Sequence, residues 1–139
     1  MTFQEISVKK LSVVPYLLFA SIALPAQEEA VLRDAMKQIG PGNGALGKKI
    51  AAKDTSASED AKKLQDLFKG TQAFWQAKSA TDAVEFTSNA AEIYGKVASL
   101  IAESKWEEAT AEQKKVGANC MGCHTAHREK SPDGSWKVK

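Results

Sequence analysis

Residues 81–101, TDAVEFTSNAAEIYGKVASLI, decide the fold. Phe86, Ala90, Ile93, Val97, Leu100 and Ile101 recur there at steps of three and four, which puts them on one face of a helix. Asp82 and Glu85 mark its start. No alternating strand pattern competes with helical periodicity in this stretch or elsewhere.

Upstream, the short connection Ser79-Ala80-Thr81-Asp82 leads back to a second helix. It begins near Ser56, with Glu59 at capping-box spacing, and its apolar face is Ala61, Leu64, Leu67, Phe68, Phe74 and Trp75. A first helix is expected over 28–39, with Leu32, Ala35, Met36 and Ile39 on one face. Gly40-Pro41-Gly42-Asn43-Gly44 should interrupt it, and Leu46 and Ile50 predict that helix resumes for about two turns. Downstream, Ser104 and Glu107 offer another capping box, from which a fourth helix is expected to about Lys130. Residues 131–139, with Pro132-Asp133-Gly134, read as a loop or frayed tail. Short links imply antiparallel neighbours, so the expected fold is all-α, an antiparallel up-and-down four-helix bundle over 27–130.

The beginning of the chain has a different character. Lys9 and Lys10 precede the uncharged apolar run 11–24, and the small residues Ala23 and Ala26 follow. This is the pattern of a secretory signal peptide spanning 1–26, and the run is shorter than the roughly 20 residues that span a bilayer. An uncleaved leader would tether the same domain to a membrane. The expected location is therefore periplasmic. Cleavage after Ala26 leaves 17 basic and 16 acidic residues. That balance provides neither a basic stripe for nucleic acid nor an acidic tail. Exported proteins use cysteines mainly for disulfides. Here the only two are Cys120 and Cys123, too close in sequence to staple a fold.

Their context, Cys120-Met121-Gly122-Cys123-His124, is the attachment motif for haem c. Two thiols three residues apart on a helix can each add across a porphyrin vinyl group. The adjacent His124 is then held beneath the iron as an axial ligand. Two other readings of these residues exist. A dithiol redox site would be expected near a strand–helix junction, and no strand is expected. A zinc site using Cys120, Cys123, His124 and His127 would require one rigid helix to wrap four ligands around a metal. His127 shares a helix with His124, so it cannot reach the opposite face of the iron and reads as a polar residue beside the haem edge. Arg128, four residues after His124, is a candidate for pairing with a haem propionate, or else a solvated surface arginine.

With the motif near its C-terminus, Val116-Gly117 before it and Arg128 after it, the chain resembles the class II cytochromes c, the c-prime family and its low-spin relatives. The resemblance covers about 28–130. Residues 33–37, Arg-Asp-Ala-Met-Lys, resemble the first helix of low-spin members, which implies that Met36 binds the iron opposite His124. Read without the resemblance, Met36 would fill the stripe between Leu32 and Ile39, as methionines on helices usually do. The chain departs from the family in three ways. His127 replaces an aromatic residue, the second and third helices are joined tightly, and Pro41 breaks a helix that is often longer.

Met36 divides two classes of function. As a ligand it completes a six-coordinate iron suited to single-electron transfer between exported or membrane-bound redox proteins. As a core residue it leaves an open iron in an apolar pocket that binds small gases such as NO or CO. Enzymatic activity is not expected. A distal acid–base group is needed for such chemistry, and Arg33, Asp34, Lys37 and Gln38 lie mostly on the polar side of the first helix. The sequence leaves a homodimer open.

Overall fold

A computed structural model describes residues 24–139, with side chains from residue 27 onward. The expected leader, 1–26, lies almost wholly outside the described residues. The chain is mostly helical: α1 (Leu24–Ala51), α2 (Ala57–Ala77), α3 (Thr81–Ala102), α4 (Trp106–Lys114) and α5 (Val116–His127). A two-stranded sheet of β1 (Arg128–Lys130) and β2 (Trp136–Val138) completes it. Among the described residues no helix is long and apolar enough to cross a membrane.

The first expectation to fail is the break at Gly40-Pro41. α1 runs through it without interruption, carrying Pro41 inside. The reason is phase. Leu32, Ala35, Ile39, Leu46 and Ile50 are all buried and follow one helical stripe across the proline, so ending the helix at Ile39 would strand the last two. Pro41 itself is exposed, and it has no N–H to donate to the Lys37 carbonyl. Gly42 faces α2 so closely that a Cβ there would stand 3.0 Å from Leu64 Cδ2.

α1, α2 and α3 end in the same way. Lys53, Ser79 and Ser104 have positive φ, of 54°, 55° and 59°. The next residue in each case donates its N–H five residues back: Asp54 to Lys49, Ala80 to Trp75 and Lys105 to Leu100, at 2.9–3.0 Å. This is the Schellman ending, built here without glycine. It corrects the second capping box, because a residue held at positive φ cannot take the extended conformation of an N-cap. The first capping box is also not made. Ser56 is helical, makes no side-chain cap, and donates its N–H to Asp54 Oδ1 at 2.9 Å. The expected fourth helix is two segments, α4 and α5, parted at Lys115.

α3 is packed against α2, α4 and α5, and α1 against α2 and α4. Its most buried line is Ala83, Thr87, Ala90, Tyr94, Val97 and Ile101. The stripe expected from sequence is therefore rotated: Phe86, Ile93 and Leu100 are only partly buried. Tyr94 is fully buried, with its ring stacked on Phe68 at 5.8 Å between centroids. A second, smaller cluster joins Leu32, Phe74, Trp75, Ala83 and Cys123, and Met36 packs against both clusters.

The expected loose tail is a hairpin. Arg128 pairs with Val138, Glu129 with Lys137 and Lys130 with Trp136. Gly134, at φ 84°, supplies the turn conformation that Cβ-bearing residues resist. Asp133 Oδ1 accepts hydrogen bonds from Ser135 N and Oγ at 2.9 and 2.7 Å. Val138 packs on the smaller cluster, and the Lys139 N–H donates to the His127 carbonyl at 3.0 Å. A helical period search cannot register two strands of three residues.

Candidate functional site

A cavity of about 630 Å³, ordinary for a site that holds a small molecule, is lined by members of both apolar clusters. Every site residue expected from the sequence borders it: Met36 on α1, Cys120, Cys123 and His124 on α5, and Arg128 at the start of the hairpin. α1 and α5 both contribute walls yet are not closely packed on one another, so the cavity occupies a gap between helices. Leu32, Ile39, Phe68 and Phe86 supply much of its apolar surface.

Helical geometry puts the motif there. Cys120, Cys123 and His124 fall at i, i+3 and i+4 of α5, the spacing of one face. Met121 lies on the other side and is 65% exposed. Burial pushes the Cys120 thiol up, and burial, with Asp82 and Cys120 nearby, pushes Cys123 up to about 11. Both therefore remain protonated thiols at neutral pH. Burial, with the neighbouring positive charge of Arg128, lowers the His124 pKa, so its imidazole is neutral and a ring nitrogen is free to bind a metal.

Arg33, Lys37, Arg128 and Lys137 line the cavity, of which Arg33 pairs with Glu29, Lys37 with Asp34 and Lys137 with Glu129; among the described residues no carboxylate lines it. Among the described residues, two buried N–H donors belonging to the lining, Trp75 Nε1 and Arg128 Nε, have no partner. A largely apolar ligand with an anionic group matches this combination. Among the described residues no three His, Cys, Asp or Glu side chains converge to hold a metal ion.

His127 is 2.8 Å from Asp82 Oδ2, and its ring packs 5.1 Å from Trp75. It ties the end of α5 to the start of α3. Hydrogen bonding to His127 holds the Asp82 carboxyl below its ordinary range.

Sequence reading missed one cluster. The Tyr94 hydroxyl donates to Asn43 Oδ1 at 2.8 Å, and Gln113 Nε2 donates to the Asn43 carbonyl and Oδ1 at 2.8 and 2.9 Å. This network pins α1 to α3 and α4 two turns beyond Met36, and Asn43 and Tyr94 both line the cavity. Burial raises the Tyr94 pKa, keeping the hydroxyl a donor. The available signal was the spacing of Tyr94 from Thr87, Ala90 and Ala98. Asn43 was hidden inside the expected break.

Comparison with known proteins finds no matching family model, no matching curated protein and no matching solved structure.

Proposed function

We propose that this chain is an exported c-type cytochrome with one covalent haem, a single-electron carrier whose helices form an antiparallel up-and-down bundle. The observation that carries the reading is that Cys120, Cys123, His124 and Met36 border one apolar cavity, with Arg128 at its rim. Each thiol would add its sulfur and hydrogen across one vinyl double bond, forming a thioether with no oxidant or reductant consumed. His124 would supply the proximal imidazole, already neutral through burial. Met36, on a different helix, is the candidate second residue to hold the iron.

Arg128, on the rim of this cavity, would face a propionate carboxylate, whereas Arg33, Lys37 and Lys137 there are paired with Glu29, Asp34 and Glu129. The unpartnered Trp75 Nε1 and Arg128 Nε suit an anionic oxygen, since a buried donor without a partner costs about 1–3 kcal/mol. When bound, the iron alternates between ferrous and ferric and so carries one electron. Its partners would be exported or membrane-bound redox proteins. No residue is assigned a catalytic role.

The mass of the denatured protein, after expression with a cytochrome c maturation system, tests this directly. The expected mass is that of the processed chain plus one haem. A mass matching the bare polypeptide overturns the reading, as does haem that extracts into acidified organic solvent.

A second reading, an open five-coordinate iron that binds NO or CO, is favoured by one observation. Met36 packs against both apolar clusters, as a core residue does.

A further inference from the structure

We infer that the C-terminal hairpin is the face through which the protein exchanges electrons with an acidic partner protein, with Trp136 at the contact. The inference rests on the cytochrome reading above. Trp136 is 50% exposed although large and apolar, and it also lines the cavity. The ring is held in place. The Arg128 guanidinium stacks 3.9 Å from its centroid, and Lys130 Nζ lies 5.5 Å away.

The hairpin register separates the charges. Alternation puts Arg128, Lys130, Trp136 and Val138 on one face without a carboxylate, whose Arg128 and Val138 end is half-buried against the protein and whose Lys130 and Trp136 end is exposed. Glu129 is on the other face, where it pairs with Lys137 at 3.1 Å, and Asp133 is occupied by Ser135 in the turn. An exposed indole flanked by cations has the composition of an interface hot spot. Its charge favours a carboxylate-rich surface and disfavours a basic one. The anchorage of Val138 and Lys139 means that little ordering is needed on docking.

Voltammetry of the holoprotein on gold coated with carboxylate-terminated or ammonium-terminated alkanethiols tests the inference. Electron exchange should be about tenfold faster on the carboxylate surface at low salt, with the difference vanishing as ionic strength rises. Lys130→Glu should abolish that preference. Lys48→Glu, the same charge change in the last turn of α1, should leave it intact. Trp136→Leu should lose most of the rate on the carboxylate surface, and Trp136→Phe should retain it. Equal rates on the two surfaces, equal effects of the two lysine variants, or an unaffected Trp136→Leu protein each overturn the inference while leaving the cytochrome reading standing. A protein with no covalent haem and no redox wave overturns both.

Discussion

α5 approaches α3 so closely at Gly122 that a Cβ there would stand 2.6 Å from Cε1 and Cζ of Phe86. The glycine between the two cysteines is therefore a packing requirement as well as a spacer. It lets the thiol-bearing helix lie against α3 while the Phe86 ring borders the cavity.

Gly122→Ala should force the Phe86 ring towards the cavity and destabilise the protein by about 1–3 kcal/mol, the usual cost of overpacking. Urea denaturation measures this. In a Phe86→Ala background the same substitution should cost distinctly less, because the clash is gone. Equal costs in the two backgrounds would falsify the proposed contact.

Pro41→Ala should stabilise the protein. Proline in a helix interior costs about 3 kcal/mol relative to alanine, against about 0.4–1 kcal/mol regained by stiffening the unfolded chain, so the helical term wins by about 2 kcal/mol. The residue is exposed and its new N–H would meet the Lys37 carbonyl. A raised denaturation midpoint is expected. A lowered one would mean that the proline shapes α1 between Met36 and Asn43.

Glu112 should contribute to acid sensitivity. It is buried and accepts hydrogen bonds from Lys115 at 2.7 Å and forms an ion pair with Lys96 at 3.2 Å. The Lys115 bond foremost, then Lys96, holds its pKa below the ordinary value, outweighing burial. Because the folded-state pKa is depressed, the contribution is complete above the unfolded carboxylate pKa and is lost as pH falls through the folded one. Stability measured from neutral pH down to about pH 3 should fall less steeply for Glu112→Gln than for wild type. Parallel curves would remove Glu112 from the account.

Met36→Ala separates the two functional readings. If the thioether completes the iron's coordination, the wild-type ferric protein is low-spin with a weak near-infrared band, and the reduced form resists carbon monoxide. The variant then becomes high-spin, takes up the gas readily and has a lower reduction potential. A wild-type protein that is already high-spin in both oxidation states and binds carbon monoxide fast makes Met36 a core residue and replaces electron transfer by gas binding.

The sequence by itself determined the local features. α2 and α3 repeat apolar residues at three- and four-residue steps, and the motif residues of α5 share a face because 120, 123 and 124 must do so on any helix. Tertiary structure decided whatever depends on a neighbour. Burial of Leu46 and Ile50 carries α1 through Pro41, against a local preference to stop. Contact with Phe68 and Asn43 seats Tyr94 at the centre of α3 where periodicity favoured Ile93. Pairing across the Gly134 turn makes strands of a segment too short to show a period. Above all, Met36 and Cys120 are 84 residues apart in the chain, and only the tertiary fold brings both to the wall of one cavity. Spacing governs residues on one element, whereas long-range apolar burial, which no local pattern encodes, governs how elements meet.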